Sequence, residues 1–388
     1  MELSNVQTVA LWGFLAAVVF GAIANKTNFC TMGAVSDWVN MGDKNRLRAW
    51  FLAIGVAILG SQTLQAAGYI DLSKSIYLTA NFGWLGHILG GFLFGVGMTL
   101  GGGCGQRTLV RVGGGNLKSL VVMLFLGITA YMTLRGLLAP ARINGIEATN
   151  IDLSARQISD QSIVTLLGAA GISITPVVRW VVIALVGGGF LLFSLASREF
   201  WKSRKDLVAG LVIGLLIVAG WYITGKIGFD EFEPVRLESY TFVAPVAENI
   251  NYLMTYTGST INFGVAAVLG VLTGSFLYAV FSGNFRIESF NSRTDMVKHI
   301  LGGISMGFGG VIALGCTIGQ GVSGMSTLAL GAVITLTMII FGAALTMKME
   351  YHMMDEQPFF SALRLALADM RLMPSPGSAK TSTDTKTA

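Results

Sequence analysis

The sequence predicts an all-α polytopic membrane protein with about nine transmembrane helices, short re-entrant or half helices, and an internal, inverted repeat. Three observations predict this fold. Of the 388 residues, 53% are hydrophobic and 12% are charged, which is about half the charged share of a soluble domain. Apolar stretches of membrane-spanning length recur along the chain. Glycine occurs 50 times, and in membrane proteins it permits close helix contacts and helix breaks beside a cavity.

Nine apolar stretches are long enough to cross the hydrocarbon core, which takes roughly 20 residues. They cover residues 7–25, 47–70, 82–102, 117–138, 177–197, 207–225, 261–282, 297–314 and 327–347.

The lysines and arginines between these stretches indicate an orientation. The loops after the first, third, fifth and seventh stretches each carry three or four of them, and the intervening loops carry two at most. Because basic loops stay in the cytoplasm, we expect a periplasmic N-terminus and a cytoplasmic C-terminus in a bacterial inner (plasma) membrane. Lys26 and Arg111 are interpreted as such loop charges. The same loops explain the net charge of +5 without nucleic acid as a partner.

We expect residues 1–348 to form a single transmembrane transport domain in the lipid bilayer and residues 349–388 to form a cytoplasmic tail. Apolar residues recur at helical spacing between positions 353 and 373. They predict an amphipathic helix that lies either on the membrane surface or against the protein. The end of the chain, 374–388, is rich in Ser, Thr, Lys and Pro and is expected to be disordered.

Two parts of the chain resemble each other at a constant offset. His87-Ile-Leu-Gly-Gly matches His299-Ile-Leu-Gly-Gly, and we call the number of residues between these two histidines the repeat offset. Cys104 and Cys316 are separated by the same number of residues. The repeat cores cover about residues 82–138 and 297–347. In the orientation above the two copies run in opposite directions, and inverted repeats generally place a transporter's binding site between them.

The three cysteines are Cys30, Cys104 and Cys316, and none belongs to a CxxC pair or a histidine cluster. Their odd number and wide spacing fit neither a disulfide framework nor a zinc site. The Gly-Gly-Gly-Cys-Gly run lacks the Gly-Lys-Ser/Thr of a phosphate loop, which argues against nucleotide binding. We therefore expect no metal and no cofactor.

Each cysteine lies at a glycine-rich or polar break between apolar stretches. The runs GGGCGQR (101–107) and GCTIGQG (315–321) have the form of a helix end, a break and a new helix start. A helix N-terminus offers free N–H groups and partial positive charge to an anion. A buried neutral thiol, being soft and polarisable, suits an anion with a terminal sulfur. The predicted substrate-binding residues are Cys30, Gly103, Cys104, Gly105, Gln106, Arg107, Gly315, Cys316 and Gln320, and no catalytic residue is predicted.

At these residues the sequence resembles the YeeE/YedE family of bacterial sulfur transport proteins over most of its length. The resemblance rests on the nine-span layout, the Asn-Phe-Cys segment ending in Cys30, the Gly-Gly-Gly-Cys-Gly-Gln-Arg segment with Cys104 and the Gly-Cys segment with Cys316. It implies a helical fold with short membrane-embedded helices in a pseudo-twofold arrangement. It also implies three cysteines that relay thiosulfate through hydrogen bonds, and a cytoplasmic sulfur-carrier protein of the TusA type as a partner.

The leading hypothesis is therefore an inner-membrane permease, not an enzyme. It takes up thiosulfate, a small sulfur-containing anion, through a central pathway with a cysteine thiol relay. Two alternatives stay open. One is a membrane thiol enzyme that forms a covalent persulfide and passes sulfur to a carrier, and the other is a transporter of a different sulfur or selenium species.

Overall fold

The computed structural model describes residues 4–230 and 235–373. The structure is 76% helical and has almost no strands, which confirms the predicted all-α class. The α-helices are α1 (Asn5–Thr27), α2 (Thr31–Ser36), α3 (Asn45–Ala66), α4 (Trp84–Leu100), α5 (Gly105–Gly113), α6 (Leu117–Arg135), α7 (Ala139–Ala141), α8 (Ile163–Ala169), α9 (Pro176–Leu195), α10 (Arg198–Lys202), α11 (Arg204–Tyr222), α12 (Val243–Met254), α13 (Phe263–Phe281), α14 (Arg293–Ile312), α15 (Leu330–Met354) and α16 (Phe359–Asp369).

Shorter elements join these helices. The π-helical stretches are Asp37–Met41, Arg142–Ile146, Ile223–Ile227 and Gly319–Gly324, and the 3-10 turns are Leu72–Lys74, Ile76–Leu78, Glu147–Thr149, Ser154–Arg156 and Tyr256–Gly258. Strands β1 (Asn81–Phe82) and β2 (Ile151–Asp152) pair antiparallel, with Asn81 opposite Asp152.

Within the described residues, eight helical stretches are long and apolar enough to cross a membrane. They contain α1, α3, α4, α6, α9, α11, α13 and α15 and correspond to eight of the nine predicted spans. The ninth, predicted at 297–314, is α14. It has 20 residues, but its first turns carry Arg293, Asp295 and Lys298, which lower its apolar character. Since α14 packs along both α4 and α6, it belongs to the same bundle.

The long helices pack in a reciprocal pattern. Helix α1 lies against α13 and α11 against α3, while α4 lies against α15 and α14 against α6. Helices α4 and α14 also cross each other through glycines. A Cβ atom on Gly90 would lie 2.6 Å from the Gly309 carbonyl oxygen, and one on Gly97 would lie 2.7 Å from that of Gly302. Backbone therefore touches backbone where the two segments related by the repeat offset meet.

Polar contacts fix the ends of these helices. Lys118 Nζ on α6 lies 2.7 Å from Asp295 Oδ2 on α14, and the same carboxylate lies 3.1 Å from His299 Nδ1. His87 Nδ1 on α4 lies 2.8 Å from Thr335 Oγ1 on α15. His87 thus joins α4 to α15, whereas His299 contacts Asp295 within α14, and Asp295 joins α14 to α6.

The C-terminal helix α16 folds back on α15. Ala362 and Ala366 are buried, and His352 Nε2 lies 3.0 Å from Asp369 Oδ2. The helix expected between positions 353 and 373 is therefore present in its docked form. The predicted disordered end, 374–388, lies outside the described residues.

The long segment between α6 and α9 reaches the loop that precedes α15. The Ile163 N–H donates to the Leu328 carbonyl oxygen at 2.9 Å, and the Leu330 N–H donates to that of Gln161 at 3.0 Å. This contact holds the loop between the short helix after Cys316 and the start of α15.

Candidate functional site

Each cysteine follows a helix that ends in a left-handed residue. These residues are Asn28, Gly102 and Leu314, with φ of 53°, 69° and 58°. The next residue of each break donates its N–H back to the preceding helix, from Phe29 to Ala24 (3.2 Å), from Gly103 to Met98 (2.9 Å) and from Gly315 to Gly310 (2.8 Å). This is the Schellman ending, which satisfies carbonyls left free at a helix end. The breaks predicted at the cysteines are thus real, and all three have the same backbone geometry.

Each cysteine then precedes a short helix: α2, α5 or the helical residues 317–326. The Gly33 N–H donates to Cys30 Sγ at 3.5 Å, and the Gly319 N–H donates to Cys316 Sγ at 3.4 Å. The sulfurs therefore lie at helix N-termini, where free N–H groups and the helix dipole favour an anion.

The Cys104 thiol lies at the centre of the arrangement. Its sulfur interacts with the side chains of Cys30 and Thr317, and its S–H is directed to Gln106 Oε1, 3.9 Å from Sγ. Thr317 directly follows Cys316 in the chain. Cys104 and Cys316 are fully buried, and Cys30 is 5% exposed. Cys104 thus meets Cys30 and the break that carries Cys316, although the three are far apart in sequence, and we call this buried series of residues the path.

A fourth segment reaches this path, and the sequence reasoning missed it. Residues 235–242 are not helical and lead into α12, whose N-cap is Phe242. Thr241 Oγ1 lies 4.0 Å from Cys316 Sγ, and the Phe242 N–H faces the same sulfur. Phe242 follows Cys30 by the repeat offset, which also relates the other two cysteines. The repeat offset between Cys30 and Phe242 could have pointed to this segment, but a cysteine and a phenylalanine are too different to be recognised as a match.

A cavity of about 470 Å³, which we call the vestibule, opens beside the Cys316 break. Its wall includes Arg135, Arg236, Thr241, Glu248, Asn262 and Gly315. Asn262 Nδ2 donates to Glu248 Oε2 at 3.0 Å. With two arginines and one carboxylate, this wall is positively charged and attracts anions. Sequence reasoning had counted Arg236 only as a loop charge and had not considered Arg135.

The segment 235–242 also carries an unusual carboxyl group, that of Glu238. Burial raises its pKa to about 7, a neighbouring Arg236 opposes this change, and Glu248 reinforces it. Tyr77 interacts electrostatically with both Glu238 and Cys316. The charge state of Glu238 therefore changes near neutral pH at the vestibule end of the path.

Guanidinium groups lie at the other end of the path, near Cys30. Arg107 Nη2 donates to Asn28 Oδ1 at 2.7 Å, and Arg111 Nη1 donates to the Gly102 carbonyl oxygen at 2.7 Å. Both arginines act electrostatically on the Cys30 sulfur. Arg111, interpreted from the sequence as a loop charge, thus also holds the Cys104 break in place.

The glycines predicted for the site differ in how much room they have. A Cβ atom on Gly103 would lie 3.0 Å from Arg107 Cγ, and one on Gly315 would lie 3.2 Å from Gln320 Cγ. At both positions a larger residue would require the facing side chain to shift by a few tenths of an ångström. A Cβ on Gly105 would make only an ordinary contact, at 3.7 Å.

Unpartnered polar atoms accompany the cysteines. Among the described residues, the buried atoms without a hydrogen-bond partner include Thr31 Oγ1, Gln106 Nε2, Thr317 Oγ1 and Gln320 Oε1, and each lies close to a cysteine in the sequence. The Gln320 amide nitrogen donates to the Ala313 carbonyl oxygen at 2.6 Å, so it holds the break and leaves only an acceptor free. Buried polar groups are nearly always bonded, so this cluster marks a place for a polar ligand.

Most of this chain is similar in sequence to known proteins. A family model described as sulphur transport matches residues 26–345, a range that contains all three cysteines. The thiosulfate transporter TsuA of Escherichia coli strain K12 is 28% identical over 324 residues, which are 81% of this chain and 87% of that protein. The thiosulfate transporter TsuA of Spirochaeta thermophila is 24% identical over 339 residues, 86% of this chain and 96% of that protein.

The matched region includes the three breaks and the vestibule, and both relatives are named as transporters, in agreement with the expectation of a transport protein and not an enzyme. The resemblance to the YeeE/YedE proteins is thereby confirmed, and this multi-span membrane protein belongs to the sulphur transport family.

Proposed function

We propose that this protein is an inner-membrane permease for thiosulfate and that the anion moves along the three thiols. The observation that carries the proposal is an unbroken series of contacts through the interior. Gly315, which precedes Cys316, lines the vestibule, Thr317, which follows Cys316, interacts with Cys104, and Cys104 interacts with Cys30. The named substrate of both relatives gives the identity of the anion.

The chemistry of thiosulfate suits this path. It is a dianion with one terminal sulfur and three oxygens, and inside the membrane it must exchange its water for fixed donors. The N-termini of three short helices supply N–H groups and partial positive charge. A neutral thiol donates S–H to the terminal sulfur, whereas a thiolate would repel it. Each contact is weak enough to release the anion to the next thiol.

The direction of uptake follows from the orientation predicted by the loop charges. With a periplasmic N-terminus and a cytoplasmic C-terminus, α1 leads inward to Cys30, and the vestibule faces the periplasm. The anion then meets Cys316 first, Cys104 second and Cys30 last. Arg107 and Arg111 attract it toward the inner end of the path.

An inverted repeat, with cores at about 82–138 and 297–347, accounts for two features of the fold. One is the reciprocal packing of α4 on α15 and of α14 on α6. The other is the pair of left-handed helix ends at Gly102 and Leu314, which are separated by the repeat offset. Both features support a single transport domain in residues 1–348, with residues 349–388 as its cytoplasmic tail.

The other predicted site residues have distinct roles in this proposal. The Gln106 amide and the Arg107 guanidinium bind the anion. Small residues at 103, 105 and 315 let it approach the backbone, and Gln320 keeps the second break in position through its bond to Ala313.

The released anion needs an acceptor inside the cell. We propose a cytoplasmic sulfur-carrier protein of the TusA type in this role, in keeping with the basic Cys30 end of the path.

Uptake of labelled thiosulfate by vesicles that contain only this protein tests the proposal. Sulfate and selenite serve as competitors, and growth on thiosulfate as sole sulfur source gives a cellular readout. The double variant Cys104→Ala plus Cys316→Ala should lose uptake. The matched control is Thr133→Ala plus Thr346→Ala, because both buried hydroxyls bond carbonyls of their own helices. Undiminished uptake by the double cysteine variant would contradict the relay. A persulfide found on a cysteine by mass spectrometry would instead favour the thiol enzyme.

A further inference from the structure

Two buried side chains beside Cys104, those of Thr317 and Gln106, each carry a donor without a partner among the described residues. Thr317 Oγ1 and Gln106 Nε2 are both buried without a hydrogen-bond partner in the described part of the chain, and both residues are 0% exposed. Gln106 belongs to α5, whereas Thr317 follows the break after α14. The two side chains nevertheless both interact with the Cys104 sulfur. Side chains from two distant parts of the chain therefore converge on Cys104, and each has one donor atom that the residues described leave unpartnered.

The free hydroxyl of Thr317 has a local cause. A helical threonine ordinarily donates to the carbonyl four residues back, as Thr108 does to Cys104 at 3.0 Å. Thr317 is the first residue after its break, so no helical turn precedes it. The carbonyl at the equivalent position, that of Ala313, already accepts from Gln320 at 2.6 Å. Since an unmade buried hydrogen bond costs free energy, this hydroxyl is suited to a ligand.

The amide of Gln106 is oriented by its neighbour. Its Oε1 faces the Cys104 S–H, which leaves the amide nitrogen as the free end. Both unpartnered atoms beside Cys104 are thus hydrogen-bond donors, as an anion requires.

We propose that Thr317 is a specificity-determining residue, whose hydroxyl forms with the Gln106 amide an oxyanion cradle beside Cys104. The cradle binds the sulfonate oxygens of the substrate while the thiols take its terminal sulfur. It rests on the proposed function, thiosulfate transport, and adds a selectivity that thiols alone lack. A site with buried donors discriminates strongly against an analogue without the matching acceptors, so hydrosulfide, which has sulfur but no oxygen, gains nothing from the cradle.

The two breaks related by the repeat offset differ at the cradle. The residue that precedes Thr317 by the repeat offset is Gly105, which has no side chain. Only the second of the two matching breaks therefore supplies a hydroxyl, and the oxygens of the anion are recognised at the meeting point of Cys316 and Cys104.

Kinetics of the full-length protein in vesicles test the cradle. Thr317→Val keeps the shape of the side chain and removes the hydroxyl, Thr317→Ser keeps the hydroxyl, and Thr346→Val is the control. For labelled thiosulfate, KM should rise about tenfold or more in T317V and stay within about twofold of wild type in T317S and T346V. If T317V does not elute as a folded protein from a sizing column, Thr317→Ala replaces it.

A competitor separates recognition of oxygen from a general packing defect. The inhibition constant of hydrosulfide against thiosulfate uptake should be the same in T317V as in wild type. An unchanged KM for thiosulfate in T317V overturns the cradle. The cradle is also overturned if the inhibition constant of hydrosulfide rises in T317V by the same factor as the KM for thiosulfate.

The cradle and the transport proposal fail separately. If wild type takes up no thiosulfate, transport is wrong, and calorimetric binding of thiosulfate to wild type and T317V in detergent tests the cradle alone. Tighter binding by wild type supports the cradle, and equal binding or none overturns it.

Discussion

The Arg107 guanidinium donates a hydrogen bond of 2.7 Å to the side-chain oxygen of Asn28, the left-handed residue two positions before Cys30. This bond joins α5 to the end of α1 and so connects the breaks that carry Cys104 and Cys30. Its acceptor is an amide and not a carboxylate, so the positive charge of Arg107 is not neutralised by this bond. In the proposed path, the Arg107 side chain therefore positions the breaks of Cys104 and Cys30 and attracts the anion toward Cys30.

Replacing Arg107 by Gln should reduce thiosulfate uptake about tenfold or more, because a hydrogen bond to a charged group and the attraction of the anion are both lost. Initial rates in vesicles measure this. Arg198→Gln is the matched control, since Arg198 is exposed at the start of α10. Equal uptake by R107Q and R198Q would show that Arg107 has no role in uptake.

Replacing Gly102 by Ala should destabilise the protein by about 1–2 kcal/mol, because its φ of 69° is unfavourable for a residue with a Cβ. The new Cβ would also lie 3.3 Å from Arg111 Nη1 and push that side chain from the break. Thermal unfolding in detergent measures the loss. Gly188→Ala on α9 meets no atom within 4 Å and should be neutral or slightly stabilising. Equal melting temperatures for the two variants would show that the left-handed glycine at the end of this helix does not contribute to stability.

Uptake should fall as pH rises through about 7, the value to which burial raises the pKa of Glu238. Below that pH the carboxyl is neutral. Above it the carboxylate adds to the charge of Glu248, offsets that of Arg236 and repels the incoming anion. Because the pKa of the folded state is raised, the stability that this proton contributes is complete below about 4.5 and is lost as pH rises toward 7.

The variant Glu238→Gln should remove this decline, whereas Glu199→Gln, at an exposed position of α10, should keep it. Uptake is measured on both sides of pH 7 with a constant thiosulfate gradient. If uptake by E238Q still falls as pH rises, the fall is caused by another titratable group.

Cys30 should react with N-ethylmaleimide before the other two cysteines, because it is 5% exposed while Cys104 and Cys316 are fully buried. Mass spectrometry of timed samples gives the order, and denatured protein, in which all three react, is the control. Added thiosulfate should slow the reaction. Faster labelling of Cys316 would mean that the vestibule opens wider than the Cys30 end.

Periodicity and internal similarity were enough to predict much of the fold. Eight of the nine apolar stretches correspond to helices of membrane-spanning character, and the repeat offset located the breaks at Cys104 and Cys316. Hydropathy was less informative for α14, because its first turns are charged and bond to neighbours: Lys118 to Asp295, for example, at 2.7 Å.

The contacts of the path could not be predicted, because they depend on how distant segments meet. Thr317 interacts with Cys104, which belongs to the other copy of the repeat, and nothing in its local sequence indicates that its hydroxyl stays free. Thr241 likewise lies 4.0 Å from Cys316 although its own segment carries no cysteine. Neither residue type is distinctive enough to be selected from one sequence.

The glycine contacts between α4 and α14 have a consequence for how the protein works over time. Gly90 meets Gly309, and Gly97 meets Gly302, with backbone against backbone, so the two helices lose this contact if one slides or tilts against the other. If the thiols of the proposed path keep their spacing during turnover, no slow domain motion has to precede each passage. We then expect a narrow conduit with fixed binding positions, whose flux follows the concentration difference and whose net accumulation depends on how fast the cell consumes the anion.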